Sequence, residues 1–210
     1  MDEKIDALNE SGEPTGEVVW KSEAHRQGIW HRCFHCWVSG ANASGPYLLV
    51  QRRAATKSTW PGRLDVSAAG HLGAGETPLD ARRELEEELG LRVGPESLVP
   101  LGTRKIEQKI SQGCDREFHE VFLLQDDTPP DNLRLQEEEV ESVLALGLDE
   151  ADALCNGETV AVEEWNGRRY VSAEVSAGNF VPNDDGYLST IVQAARRLHA
   201  GKTPGGLNRT

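Results

Sequence analysis

Four glutamates crowd the segment Arg83-Glu84-Leu85-Glu86-Glu87-Glu88-Leu89, and the spacing of three of them could do chemistry. At about 100° per helical residue, Glu84, Glu87 and Glu88 fall within one arc, while Ala81, Leu85 and Leu89 form an apolar stripe beside it. Like charges at i,i+3 and i,i+4 cost a helix a few tenths of a kcal/mol per pair, so stability alone does not favour the arrangement. A hard divalent cation prefers carboxylate oxygens and would turn that repulsion into a binding site. Taken alone, the segment reads equally as a solvated acidic face with Arg82 and Arg83 as ion-pair partners, which is the commoner case. Elsewhere, Arg52, Arg53 and Lys57 at a strand end are candidate phosphate partners. Glu117, Glu120 and the run Glu137-Glu138-Glu139 offer acids for a general base.

The elements that must position these groups follow from local pattern. Residues 17–21, 31–38 and 47–53 read as strands, the last two forming an antiparallel pair across a turn-like Gly40 to Pro46. A short segment from Leu64 to Ala69 and a glycine-rich loop, Gly70 to Gly75, precede the acidic helix. That helix is expected to open at Thr77 as cap, with Pro78 at its first position, and to stop at Gly90. Strands follow at 98–108 and 117–124, mixed strand and turn signals at 140–148, and a short helix at 149–156. In the tail, Leu188, Ile191, Val192, Ala195 and Leu198 recur at helical spacing, so a closing helix over 185–200 should pack on the sheet. Residues 157–183 carry only one clear signal, a small hairpin suggested by Trp165-Asn166-Gly167-Arg168. A single domain over 1–200 is expected, with a core at about 30–150, a C-terminal helical extension at about 185–200 and a flexible tail at 201–210.

A net charge of −13, with no basic run, argues against a polymeric nucleic-acid partner. No apolar run exceeds four residues and the Met1-Asp2-Glu3-Lys4 start has no apolar leader, so no membrane contact and a cytoplasmic location are expected. Homodimerisation is compatible with the sequence. Cys33 and Cys36 form a CxxC near His31 and His35, but on a strand their odd spacing sends the thiols to opposite faces, and no second CxxC completes a zinc site.

Gly70-His71-Leu72-Gly73-Ala74-Gly75-Glu76, followed by Arg83-Glu84-Leu85-Glu86-Glu87-Glu88-Leu89-Gly90-Leu91, resembles the Nudix box, the loop-helix-loop signature of the Nudix hydrolases. His25 to Trp37, Gln51-Arg52-Arg53, Trp60-Pro61-Gly62 and Asp65-Val66-Ser67 are similar to the branch that includes isopentenyl-diphosphate isomerase. The resemblance implies an α/β fold, an α/β/α sandwich with a mixed sheet between helices. It implies Mg2+, with Mn2+ as a substitute, held by Glu84, Glu87 and Glu88 with the Gly70 carbonyl and Glu76, and Arg83 orienting the carboxylates. The reaction implied is hydrolysis of a diphosphate linkage in a small organic substrate, a nucleoside diphosphate derivative or a prenyl diphosphate. Arg52, Arg53, Lys57 and Glu117 would then contact the substrate, and Trp30, Trp37, Trp60 and Phe180 are aromatics that could line its pocket.

One departure matters: six residues, Thr77 to Arg82, separate Glu76 from Arg83 where the family pattern has seven. The loss of one residue turns a helix by about 100° and shortens it by about 1.5 Å, which weighs on Glu76 and Gly70 more than on the helix glutamates. Two other readings compete with hydrolysis. His25, His31 and His71, with Asp115 and Glu117, resemble the metal-holding set of the isomerase, but Ala69 stands where that enzyme needs a cysteine, and alanine cannot transfer a proton. A Nudix-fold binding module without activity is the other.

Overall fold

The computed structural model describes residues 2–182 and 185–207. A hairpin of β1 (Lys4–Leu8) and β2 (Pro14–Trp20) leads into helix α1 (Lys21–Gln27). Then come β3 (His31–Asn42), β4 (Gly45–Arg53), the short β5 (Leu64–Asp65) and β6 (Ala68–His71), and helix α2 (Arg83–Leu89). After β7 (Leu98–Ile110), β8 (Gly113–Gln125) and β9 (Val140–Gly147) the chain forms helix α3 (Leu148–Cys155). The hairpin β10 (Val160–Trp165) and β11 (Tyr170–Val175) and helix α4 (Tyr187–His199) complete it.

Strand order in the main sheet is β11-β10-β9-β4-β3-β8-β7, with β5 added to β4 and β6 to β3. The β3–β8 pair is parallel and its neighbours are antiparallel, so the sheet is mixed. Alternate residues of β3 and β8 feed two cores. Phe34, Cys36, Val38, Phe122 and Leu124 meet Ala81, Leu85 and Leu89 of the α2 region on one face. Trp37, Val121 and Leu123 meet Leu154 of α3 and Ile191, Val192 and Ala195 of α4 on the other. Period-two alternation with both faces apolar is what a sheet covered by helices on both sides requires, and the α/β/α sandwich is the result. The two cysteines of the CxxC are split as strand geometry demands: Cys36 lies in the α2-side core while Cys33 faces the opposite way.

Midway along β3 the sheet forks. Residues 38–42 pair with β4, whereas 33–36 pair with β6. At the branch point the Ser67 hydroxyl accepts the Val38 N–H at 2.7 Å and donates to the Leu49 carbonyl, replacing ladder bonds that neither strand can supply. The cavity described below sits in this fork, its walls drawn from β3, β4, β5 and β6.

Three parts of the structure depart from the sequence expectation. β1 and α1 carry no strong signal, because α1 buries only Ala24 and His25 and so has no apolar stripe. The tail expected to be flexible is anchored: the Leu207 N–H donates to the Leu101 carbonyl at 2.6 Å and its side chain packs on the core, while residues 208–210 lie outside the described residues. The acidic helix, expected to open at Thr77, becomes α-helical only at Arg83. Asp80–Arg82 form a 3-10 turn, and the Thr77 hydroxyl donates to Asp80 Oδ2 at 2.7 Å instead of capping a backbone N–H.

That turn absorbs the missing residue. Three 3-10 residues rise about 2.0 Å each and four α residues about 1.5 Å each, so both span about 6 Å, and their rotations differ by only about 40°. Inserting one alanine between Asp80 and Ala81 should therefore convert the tight turn to α-helix without moving Arg83 along the axis. The variant is expected to melt within a few degrees of the parent and to keep its metal-dependent activity. A folded but inactive insertion variant would mean that the tight turn is itself required.

Candidate active site

Glu84, Glu87 and Glu88 all line one cavity of about 270 Å3, together with Gly70 and His71 from β6. Glu88 is buried, with Oε2 accepting the Ala69 N–H at 3.2 Å and the Gln51 side-chain amide at 3.1 Å. One turn earlier, Glu84 lies so close to Gly70 that a Cβ there would sit 2.2 Å from the Glu84 carboxyl carbon. Glycine is thus set at position 70 by close approach, which brings its backbone beside the carboxylate. Burial pushes the Glu84 carboxyl up to about 7 against the attraction of Arg83, and the Glu88 carboxyl up to about 8.

Arg83 organises the outer side of this group. Its Nε and Nη2 donate to the two oxygens of Glu76 at 3.0 and 3.2 Å, and its Nη1 donates to Glu84 at 2.5 Å and Glu87 at 3.2 Å. Glu76, which also accepts the Gly73 N–H at 2.7 Å, points at the arginine and does not line the cavity. The structure therefore separates Glu76 from the other proposed ligands: its oxygens anchor Arg83, and Arg83 bridges to the helix.

Cations line the same cavity. Lys21, Arg53, Lys57 and Arg104 face the cavity, each with a carboxylate partner: Glu3, Asp65, Glu139 and Asp185 respectively. Arg52, expected beside Arg53, points away, because adjacent strand residues face opposite sides. It pairs with the buried Glu164 and donates to the Gly62 carbonyl at 2.9 Å. Of the four aromatics singled out, Trp60 lines the cavity, at a positive φ of 51° that is unusual for so bulky a side chain, whereas Trp37 and Phe180 belong to the core and Trp30 meets Phe118 with the two rings tilted. Glu120 lies outside the cavity, bonded to Arg32 and Thr103, and Glu137 and Glu138 are exposed.

The far end of the cavity gathers histidines. Ring nitrogens of His25, His31 and His71 and an oxygen of Glu117 all lie within 4.8 Å of one another. Asp115 Oδ1 is 3.5 Å from His25 Nε2 and 3.7 Å from His31 Nε2, and Glu117 Oε1 is 3.4 and 3.3 Å from His31 and His71. His31 Nδ1 donates to the Ile29 carbonyl at 2.8 Å, which turns Nε2 toward the acids, and Glu117 and Asp115 push the imidazole up against its burial. His31 Nε2 and Asp115 Oδ1 are buried and have no well-aligned hydrogen-bond partner among the described residues. Two orphaned buried donors among three imidazoles and two acids fit a divalent cation. Burial holds the His71 imidazole down to about 4, so the ring stays neutral.

Sequence reasoning weighed His35 only as a neighbour of the CxxC and did not single out His119; both line the cavity. The available signal was strand alternation: His35 is two residues from Cys33 and His119 two from Glu117, hence on the same faces. Lys21 and Glu3 were missed with the elements that carry them.

Replacing Gly70 with alanine tests the cradle. The new Cβ meets the mobile end of a side chain and not the backbone, so Gly70→Ala should melt within a few degrees of the parent. Because the Glu84 carboxylate must swing away, metal-dependent turnover should fall at least about tenfold, as in Glu84→Gln. Full turnover in Gly70→Ala would show that this approach has no part in the site.

Comparison with known proteins agrees with the geometry. The family model of the NUDIX domain matches residues 30–165. An uncharacterized Nudix hydrolase of Clostridium acetobutylicum is 32% identical over 200 residues, covering 92% of this chain and 97% of its own length. An isopentenyl-diphosphate Delta-isomerase of Kocuria rhizophila is 35% identical over 130 residues, 61% of this chain and 70% of that one. Among solved structures, the protein DR0079 of Deinococcus radiodurans shares the fold with a TM-score of 0.55 and 24% identity, over 74% of this chain and 91% of that one. With its domain match, its end-to-end relative and a glutamate helix set against the glycine loop, the chain belongs to the Nudix hydrolase family.

Proposed function

We propose that the chain hydrolyses a diphosphate linkage in a small organic substrate, using Mg2+ held by Glu84, Glu87, Glu88 and the Gly70 carbonyl. The observation that carries this reading is the pairing, within one cavity, of these carboxylates with the cationic wall of Lys21, Arg53, Lys57 and Arg104. Bound Mg2+ would neutralise phosphate oxygens and lower the pKa of an attacking water. The chain's own groups do the rest. Phosphate oxygens take up the cationic wall, displacing carboxylate partners such as Glu139 from Lys57. Arg83 holds Glu84 and Glu87 in place through its bonds to both. Among the acids considered as general base, Glu117 and Glu139 stand in the cavity with the helix glutamates, and Glu120, Glu137 and Glu138 do not.

The cavity is at the small end for organic ligands, which span roughly 300–1,000 Å3, so it suits the diphosphate and a compact attached group. Prenyl diphosphates and small nucleoside diphosphate derivatives are the substrate classes to test. A second reading, isomerisation of isopentenyl diphosphate, is favoured by the assembled histidine cluster. Against it, Ala69 carries no acid, and the thiol that does reach the cavity, Cys33, is pushed well above its ordinary pKa by burial and donates to the Gly70 carbonyl at 3.1 Å.

A substrate panel with Mg2+ and Mn2+ should show release of a monophosphate or inorganic phosphate. Glu87→Gln and Glu88→Gln should each lower turnover at least about 10²-fold in a folded protein. Near-normal turnover in either variant at saturating Mg2+ would remove that residue from the site. Given isopentenyl diphosphate, the protein should form no dimethylallyl diphosphate, and interconversion at enzymic rates would replace this reading with the isomerase.

A further inference from the structure

One face of the parallel pair β3–β8 is a ladder of donors. His31, Cys33 and His35 alternate along one strand, and Asp115, Glu117 and His119 along the other. The register sets His31 against Glu117 and Cys33 against His119. Three of these six join His25 and His71 in the cluster already described. Two of the others, together with Glu117 again, make a second arrangement: Cys33 Sγ, a His35 ring nitrogen and a Glu117 oxygen lie within 4.8 Å of one another, all from buried residues.

We propose that Cys33, His35 and Glu117 form a second cation site, selective for a borderline-soft ion such as Zn2+, beside the carboxylate site on α2. Four observations support it. The donor set is thiol, imidazole and carboxylate, which softer divalent ions take and Mg2+ does not. His35 Nδ1 is buried with no hydrogen-bond partner among the described residues, an atom that a cation would satisfy. Glu117 has an oxygen for each side: Oε1 faces His31 and His71, while Oε2 accepts from His119 Nε2 at 2.6 Å. Finally, three protein ligands leave a fourth position open, the coordination of a reactive zinc ion and not of a structural one. Metal bonds of about 2.0–2.3 Å would draw the donors to under about 4 Å apart, a contraction that side-chain rotation supplies.

The CxxC spacing pointed at the wrong partner for Cys33. Cys36 is on the opposite face, while His35, at i+2, shares its side of the strand. On binding, the ion takes the sulfur lone pair and the thiol proton leaves to solvent. The Cys33–Gly70 hydrogen bond is lost with it, so the Gly70 carbonyl becomes available to an ion on the α2 side. The two sites are therefore linked through one backbone carbonyl.

The test is spectroscopic and does not depend on turnover. Chelator-treated protein titrated with Co2+ should develop a near-ultraviolet thiolate-to-cobalt absorption that Zn2+ abolishes by competition. Cys33→Ser should lack this band, and His35→Ala should weaken the Co2+ affinity that it reports at least about tenfold. His25→Ala, which disables the three-histidine cluster, should retain it, with circular dichroism checking each fold. Co2+ binding without the band, a band unchanged in folded Cys33→Ser, or a band lost in His25→Ala as well would overturn the proposal. Absence of diphosphate hydrolysis on every substrate would leave the band untouched, so the two readings fail separately.

Discussion

A carboxylate withdrawn from water needs a cation, and this fold withdraws four of them into one cavity. Glu84 and Glu88 on α2, and Asp115 and Glu117 on β8, face inward with little solvent contact. Protein cations reach them unequally. Arg83 touches Glu84 but not Glu88, and Glu117 is held well below the ordinary carboxylate range by the hydrogen bond from His119 and the nearby imidazoles of His31 and His71, which together overcome its burial. Asp115 gets less help, and burial and the nearby Glu117 push it up to about 7. An uncompensated buried charge is costly enough that the group gives up its charge or acquires a partner. The divalent ions proposed for this site would supply that partner.

The rest of the architecture serves that arrangement. Burying Leu85 and Leu89, each worth roughly 1.5–3 kcal/mol, fixes the rotation of α2 and so the direction of its glutamates. The fork in β3, stitched by Ser67, separates β4 from β6 and leaves room for the cavity between them. Gly70 lets the β6 backbone approach Glu84, and the 3-10 turn at Asp80–Arg82 keeps Arg83 within reach of Glu76 despite the short spacing. At one end of the cavity stands a glutamate helix and at the other a histidine cluster, which fits relatives that include both Nudix hydrolases and isopentenyl-diphosphate isomerases.

What could be read from sequence divides along a physical line. The α/β class, the β3–β4 pair and α4 were legible because their apolar periods are unambiguous, and the three helix glutamates because a helix fixes their relative angle. α1 was not, since it buries only Ala24 and His25, and β1 was not, since its five residues are too short a run to establish a period, although α1 and the start of β1 bring His25, Lys21 and Glu3 to the cavity. Arg52 and Arg53 could be told apart only once the strand's facing was known. Glu76 looked like a ligand by position, and only three-dimensional distance reveals that its oxygens go to Arg83. His35 and His119 come together only when the parallel register lays β3 beside β8, a pairing between segments 86 residues apart that no local period announces.

The most direct test of the central claim is the thermal stability of Glu88→Gln, measured without metal and with saturating Mg2+, at pH 5 and pH 8. The amide keeps an oxygen to accept from Ala69 and Gln51 but carries no charge. Burial raises the folded-state Glu88 carboxyl to about 8, above its value in the unfolded chain, so its destabilising contribution is absent near pH 4 and grows as pH rises toward 8. The account predicts that metal-free Glu88→Gln melts several degrees above the parent at pH 8 and close to it at pH 5. Mg2+ should raise the melting temperature of the parent at pH 8 and have much less effect on the variant. A variant less stable than the parent at pH 8 without metal, or one that Mg2+ stabilises as strongly as the parent, would contradict it.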